Sequence, residues 1–561
     1  MKTALRRGMT SAEERGAGGF AGLRRWFLAA GALCVLVLVA AVAPASADDD
    51  DDDGAGEFET GEIVVKLDPR SGATVDGINQ QYGTTTKETF LPSAGIYLLD
   101  AAQSGRSVEA LVEEMARDAR LVYAEPNYIV ESPAGDRWRF KGRTDFAPEP
   151  SEQARYTDQY AVGKMGLREA HGVTRGAGAT VAVLDTGVQG DHPELAGSLV
   201  PGYNFLDDNT DTDDVRTGAD DDGDGVADEL AGHGTHVAGI VHLTAPEAKI
   251  MPMRVLDSNG TGNVFLIAEA IQEAVRRDAD VINLSLSSTA ESDFLEDVLE
   301  DVTEPEDDDD DVPSVEGVPP QGLVVVGSAG NEGEPNRRYP ASEDGVLGVA
   351  SVGSTEVRSD FSNYGREWVD VAAPGEEIQS LFPTGGYASW DGTSMSAPFV
   401  SGQAALIRAQ RPNLPVVMDD DDDPPSASVE GVIKSTARPL ADRELGAGHA
   451  DAARSLGVAS QRAANLAPTV APVSPKPNAR TKSRTPTVVA TVRDPDSRLA
   501  KSNVRLFVKG KRYTNFTYNA STGRLSFKSP RLPYGPVSVR VAATDAGGKS
   551  ASRSWTFRIV R

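Results

Sequence analysis

Apolar and polar positions alternate along this chain in three rhythms, and each predicts a different kind of unit. Between Glu62 and Tyr128, the runs I-V-V-K-L, G-I-Y-L-L and V-Y-A-E-P-N-Y have the length and composition of strands, while S-V-E-A-L-V-E-E-M spaces its apolar residues for one face of a helix. A small α+β unit over 62–130 follows. Beyond residue 158 the rhythm becomes short, largely apolar runs, Val181 to Leu184, Ile250 to Val255, Val281 to Leu286 and Val324 to Val326, separated by helical stretches such as the one after His233 and the amphipathic Val264 to Arg276. Strands that are apolar on both sides, alternating with helices, imply a parallel sheet covered on both faces. The third rhythm is short strands such as V-R-L-F-V, R-L-S-F, V-S-V-R-V-A-A-T-D and W-T-F-R-I-V-R with Gly and Asn turns between them; it predicts a β-sandwich over 478–561, behind a Pro-rich linker over 461–477.

Charge separates the same units. The 561 residues carry a net charge of −29, yet residues 461–561 hold 20 Lys and Arg against 3 Asp and Glu, so this tail carries +17 and the remainder −46. A chain of this length exceeds one core. A basic module of that density is drawn to polyanions, and for an exported protein the candidates are anionic cell-wall polymers, acidic substrates or its own acidic portion. No base-stacking pattern accompanies the charge, so nucleic acid is not expected.

Export is predicted from the N-terminus. Arg24-Arg25-Trp26-Phe27-Leu28 leads into an apolar stretch ending at Val42, followed by Pro44 and Ala45-Ser46-Ala47. That is the layout of a signal peptide over 1–47 cut after Ala47, with an acidic linker over 48–61. The stretch falls short of the roughly 20 residues a membrane span needs, and its arginine pair also fits a twin-arginine signal. The single cysteine, Cys34, would leave with it. A secreted, extracellular protein without disulfides is the expectation, stabilised by something else.

Candidate chemistry concentrates in three segments. V-A-V-L-D-T-G-V places Asp185 where a buried strand ends, the edge at which open α/β sheets carry their chemistry. H-G-T-H-V-A-G-I offers two histidines one helical turn apart, His233 and His236, of which one at most can serve a single site. G-T-S-M-S-A-P sets Ser394 among small residues at the start of a helix, where a backbone N–H can face a developing oxyanion. A fourth, V-V-V-G-S-A-G-N-E-G, ends a strand in a small-residue loop bearing Asn331. In the order Asp, His, Ser these segments resemble the subtilisin-like serine protease (subtilase) family. The resemblance implies a three-layer α/β domain over 158–460, Asp185, His233 and Ser394 as a catalytic triad, His236 as a packed structural residue, and Asn331 as the side-chain donor of the oxyanion hole.

It implies more at the periphery. Y-A-E-P-N-Y looks like the end of the inhibitory subtilase propeptide, so 62–130 becomes an intramolecular chaperone removed by cleavage in a processing linker over 131–157, and the enzyme's partners are protein or peptide substrates and this propeptide. Ser285, Leu286 and Ser287 with Ala329 and Gly330 become the walls of the primary specificity pocket, and Arg338 its floor. There the guanidinium either grips an acidic substrate side chain or pairs with Glu332 or Glu334 and leaves a shallow pocket.

Two acidic features remain. D-D-D-G-D-G-V-A-D-E sets carboxylates at Asp220, Asp222, Asp224 and Asp228 around Gly225, as in an oxygen-rich calcium loop, although Ala231 stands where a closing Glu belongs. A structural calcium ion is the expectation. Two mutually similar segments, Glu306 to Val318 and Asp419 to Val432, are expected to form solvated loops. Against the protease stands one rival, an inactive scaffold that binds cell surfaces or polyanions; with all four chemical positions filled, nothing in the sequence favours it.

Overall fold

The computed structural model describes residues 56–133, 150–218, 228–304, 315–417, 427–458, 468–494, 499–520, 522–544 and 549–561. Among them, seven parallel strands form the central sheet in the order Val371–Pro374, Val346–Val352, Val324–Ser328, Val281–Leu284, Thr180–Asp185, Lys249–Arg254 and Tyr203–Asn204. Thr180–Asp185 lies deep within it, between Val281–Leu284 and Lys249–Arg254, so Asp185 emerges at the carboxyl edge of a central strand. Its side chains alternate between two cores. Val181 and Val183 face the helices His233–Thr244 and Thr393–Gln410, while Ala182 and Leu184 face Val264–Arg276 and Asp293–Thr303. Burial on both sides, worth roughly 1.5–3 kcal/mol per fully buried Val or Leu, explains why these runs are predominantly apolar, with Arg254, Asn283 and Ser285 as the buried polar exceptions.

A second sheet precedes the first. Thr85–Leu91, Ile96–Asp100, Phe58–Leu67 and Leu121–Glu131 pair antiparallel, and the last of these also pairs with Thr261–Asn263 of the central unit. Helices Val75–Tyr82 and Val108–Met115 cover one face, capped by Thr74 and Ser107. The other face sends Val64, Leu98, Tyr123 and Val130 into the core beneath Val264–Arg276. Neither face of this sheet is free of apolar cover.

At the C-terminus a four-stranded sheet (Thr469–Ser474, Thr487–Arg493, Arg524–Lys528, Thr517–Asn519) and a five-stranded one (Arg480–Thr481, Ser550–Ile559, Gly535–Thr544, Val504–Val508, Lys511–Tyr513) enclose their own core around Val488, Leu506, Phe527, Val539 and Phe557. This is a β-sandwich.

Four expectations need correction. The linker over 461–477 is not wholly a linker, because Thr469–Ser474 is an edge strand paired with Thr487–Arg493; Pro472 is tolerated there because an edge position and an adjacent register shift spare its missing N–H. The linker over 131–157 likewise ends early: Pro150–Thr157 is a helix whose Tyr156 is buried in the central core and donates to the Gly239 carbonyl at 2.7 Å, so the central unit begins before residue 158. The first strand of the leading unit starts at Phe58 rather than Glu62. Finally, the acidic segments are not loops throughout. Val315 is buried in the core, and Val429–Thr436 is a helix capped by Ser428 that buries Val429, Val432 and Ile433; an apolar V-x-x-V pattern overrides the charge beside it, while the aspartate runs themselves lie outside the described residues.

Candidate active site

The carboxyl edge of the central sheet gathers the candidate residues. His233 opens the helix His233–Thr244, preceded by Gly232 at φ 102°, where any Cβ would strike the Phe382 ring at 2.6 Å. Gly234 allows the helix to approach the Asp185 strand, since a Cβ there would lie 2.1 Å from the Gly187 carbonyl oxygen. The approach brings His233 Nδ1 within 2.7 Å of Asp185 Oδ1, and Asp185 Oδ1 also accepts from Thr186 N at 2.8 Å. Nδ1 therefore carries the proton and donates, which leaves Nε2 as an acceptor. Both side chains are fully buried. His236 takes the packed role: it stacks on Trp390 at 4.9 Å, burial holds its pKa down to about 3, and Nε2 donates to the carbonyls of Ile378 and Ala388 at 3.2 and 3.3 Å.

Ser394 is the second residue of Thr393–Gln410, and its carbonyl accepts from Ser285 Oγ at 3.0 Å. Just before it, Thr393 donates from N and Oγ1 to Asn331 Oδ1 at 2.9 and 3.0 Å. Anchored through its oxygen, the Asn331 amide turns Nδ2 outward as a donor. Gly330, at φ 95°, donates to Thr393 Oγ1 at 3.1 Å, and Ala329 is fully buried.

What Nδ2 meets is the leading unit. Past Glu131 the strand Leu121–Glu131 continues across the site: Glu131 and Ser287 exchange N–H···O bonds at 2.9 and 2.7 Å, Ser132 N donates to the Gly260 carbonyl at 2.9 Å, and Asn331 Nδ2 donates to the Pro133 carbonyl oxygen at 2.8 Å. Ser132 Oγ lies 3.2 Å from His233 Nε2. Ser394 Oγ, fully buried, has no hydrogen-bond partner among the described residues. The nitrogen that could take its proton is engaged by Ser132 instead.

Three further residues escaped the sequence reading. Buried Asp214 accepts from Gly232 N, Thr235 N and Thr235 Oγ1 at 2.8, 3.0 and 2.8 Å and from Thr186 Oγ1 at 3.2 Å, so it ties the His233 turn to the Asp185 strand; burial raises its carboxyl to about 6. Glu125 accepts from Ser292 Oγ, Asp293 N and Phe294 N at 2.5, 2.9 and 3.4 Å, and Asn127 Oδ1 accepts from Phe265 N at 3.2 Å, so Leu121–Glu131 caps two helices of the central unit. Polar residues two apart in Y-A-E-P-N-Y were the available signal, because on one face of a strand such a pair must find partners.

At the expected pocket, Leu286 is core-packed, while Arg338 lies against Gly330 with its Nε 3.5 Å from Glu332 Oε2. The guanidinium is paired, and Glu332 also accepts from Asn363 Nδ2 at 2.5 Å. Of the four expected metal ligands, Asp220, Asp222 and Asp224 lie outside the described residues. Asp228 accepts from Thr217 N and Oγ1 and from Gly218 N at 2.7 to 3.1 Å; its carboxylate clamps the loop ends together.

Comparison with known proteins agrees with this geometry. Residues 176–449 match the model of the subtilase family, and residues 44–127 match the fervidolysin N-terminal prodomain. Thermitase of Thermoactinomyces vulgaris is 37% identical over 262 residues, 45% of this chain and 82% of that protein. A thermophilic serine proteinase of Bacillus sp. (strain AK1) is 35% identical over 318 residues, 55% of this chain and 68% of the relative. In fold, the chain resembles the crystal structure of fervidolysin from Fervidobacterium pennivorans, a keratinolytic enzyme related to subtilisin, with a TM-score of 0.55 and 22% identity over 90% of this chain and 77% of the other. The chain thus belongs to the subtilase family, and is a serine endopeptidase with an N-terminal prodomain.

Proposed function

We propose that the protein is an exported, self-processing zymogen whose triad is Asp185, His233 and Ser394, and whose first cut falls between Pro133 and Ala134. One observation carries this reading: the Pro133 carbonyl oxygen accepts a hydrogen bond from Asn331 at 2.8 Å while the strand before it is paired to Ser287 and Gly260, as a substrate's acyl side would be. Ser394 Oγ adds to the Pro133 carbonyl carbon as its proton passes to His233 Nε2. Asp185 holds the imidazolium, and Asn331 Nδ2 stabilises the oxyanion. His233 then returns the proton to the Ala134 nitrogen, which leaves, and water hydrolyses the acyl-enzyme at Pro133. Until then the strand fills the cleft, and the Ser132 hydroxyl occupies the base.

Residues 1–47 are proposed to direct export, and the +17 tail to hold the secreted enzyme near anionic polymers. Calcium is proposed as a structural ion of the acidic loop, with Asp220, Asp222 and Asp224 as its carboxylates and Asp228 as the clamp at the loop's end; Asp222→Asn should reduce the melting shift produced by calcium chelation.

Purified protein should begin at Ala134 or, after trimming, further on, and Ser394→Ala should keep the 133–134 bond intact and lose fluorophosphonate labelling. A Ser394→Ala chain cut at the same bond would sink the self-processing reading, and a wild-type chain inert to both casein and the label would favour the inactive scaffold.

A further inference from the structure

Outside the catalytic cleft, three carboxylates converge from two segments that flank the specificity pocket. Glu291 precedes Ser292, the cap of Asp293–Thr303, and Glu296 sits one turn into that helix. Glu343 follows the Arg338 turn, held by Glu343 N donating to the Pro340 carbonyl at 3.0 Å. One carboxylate oxygen from each lies within 4.8 Å of the other two. Two oxygens bound to the same calcium ion at about 2.4 Å can be at most about 4.8 Å apart, so this spacing admits a shared ion.

Proximity of acids alone would mean little. The second observation concerns Glu343. Its side chain belongs to a residue 8% exposed, and its Oε1 is buried without a hydrogen-bond partner. Leaving a buried carboxylate oxygen unsatisfied is costly, and an oxygen of this carboxylate lies within 4.8 Å of two further carboxylates instead of a base. Among the described residues no lysine or arginine pairs with Glu291, Glu296 or Glu343. Arg337 acts on Glu343 less strongly than Glu296, Glu291 and Asp344 do, and burial with these acids raises Glu343 to about 8.

We propose that Glu291, Glu296 and Glu343 form a binding site for a hard divalent cation, calcium by its all-oxygen donor set, separate from the Asp-rich loop. Nitrogen and sulfur donors are absent from the trio, which disfavours zinc. Water completes the shell on the exposed Glu291 and Glu296 side. The ion would tie together two segments already joined by Ser288 and Tyr339, which exchange N–H···O bonds at 2.7 and 3.0 Å. Those segments continue directly into Ser287 and Arg338, so the ion would brace opposite sides of the pocket.

The test uses the full chain carrying Ser394→Ala, so that its outcome does not depend on proteolysis. After stripping with EGTA, calcium is titrated calorimetrically into this parent and into versions bearing Glu343→Gln or Glu291→Gln. Each substitution should remove one calcium from the stoichiometry or weaken that site at least tenfold, and shrink the calcium-induced rise in melting temperature. In EGTA, Glu343→Gln should melt no lower than the parent, because a neutral amide replaces an acid among acids. Glu291→Gln, at an exposed position, guards against a variant that fails to fold. Unchanged stoichiometry and affinity in both variants would overturn the site, as would a parent that binds calcium no better than a variant with Asp222→Asn, Glu291→Gln and Glu343→Gln combined.

Discussion

Glu125 should make prodomain docking depend on pH, and the direction can be worked out. The residue is 7% exposed, between Leu121–Glu131 and the start of Asp293–Thr303. Burial raises its carboxyl to about 7 and Asp293 adds to the rise, while the hydrogen bonds from Ser292, Asp293 and Phe294 oppose it. Released into water, the group returns to its ordinary value of 4.5. Between these values the docked form binds the proton more tightly, so docking is favoured at low pH and weakens as pH rises through the window. At ~1.4 kcal/mol per unit, the full swing is roughly 3 kcal/mol, on the order of a hundredfold in the docking equilibrium. The amides of Asp293 and Phe294 report it, because Glu125 is their acceptor. In full-length Ser394→Ala protein, their hydrogen-exchange protection, corrected for the intrinsic rate, should fall between pH 5 and 8. Glu125→Gln, neutral throughout, should flatten the curve. Protection that climbs with pH would show that the ionised carboxylate is the stabilising cap and refute the reasoning; equal slopes in both proteins would place the titration elsewhere.

Three other substitutions follow from the geometry. Ser132→Ala removes the hydroxyl at His233 Nε2, a contact worth about 0.5–1.5 kcal/mol, so pulse-chase conversion of the zymogen should speed up by as much as about tenfold; a slower conversion would mean that Ser132 assists the cut. Asp214→Asn cannot serve four donors, and with at least two hydrogen bonds lost it should cost roughly 2–4 kcal/mol, read as a melting point several degrees lower in the Ser394→Ala background; an unchanged melting point would deny Asp214 its role in holding the His233 turn. Arg338→Gly empties the pocket beside Gly330, and in a peptide library it should shift preference at the acyl-side residue from small side chains to Phe and Tyr; a profile that stays as it was would show that Arg338 points away from the substrate.

What the sequence disclosed and what it withheld divide along physical lines. The strands around Asp185, Val281 and Val324 and the helix Val264–Arg276 were legible because burial on both faces, or on one face, writes directly into apolar spacing. The three polar segments bearing Asp185, His233 and Ser394 stood out because each sets its polar residue among small ones: a Cβ at Gly232 or Gly234, beside His233, would lie only 2.6 or 2.1 Å from its neighbours. Boundaries fared worse. Pro472 and the aspartates near Val429 suggested linker and loop, but a proline costs little on an edge strand, and two buried valines one turn apart outweigh neighbouring charge. Asp214 was hidden because two of its donors are backbone amides, which have no letter in the sequence, and the other two are hydroxyls of Thr186 and Thr235, at least 21 residues away along the chain.

The strand Leu121–Glu131 shows how far such hidden contacts reach. Glu125 and Asn127 sit two residues apart, hence on one side of Leu121–Glu131, and each supplies an acceptor to the first turn of a different helix. Those helices have caps of their own, Ser292 on Leu295 N and Asn263 on Leu266 N at 3.1 Å each, yet a first turn leaves four N–H groups to satisfy, and each cap takes one. The strand takes Phe265, Asp293 and Phe294. Its fixed pleat thereby sets the spacing of the two helix starts, and the same pairing register carries Glu131 to Ser287 and Pro133 to Asn331. A one-residue slip would turn Glu125 and Asn127 away from both helices and also shift the carbonyl presented to Asn331. The contacts that align the helices and the contact that presents the Pro133 carbonyl to Asn331 are therefore one register, so the proposed cut is confined to a single bond even though Pro133 has little side chain for a pocket to grip.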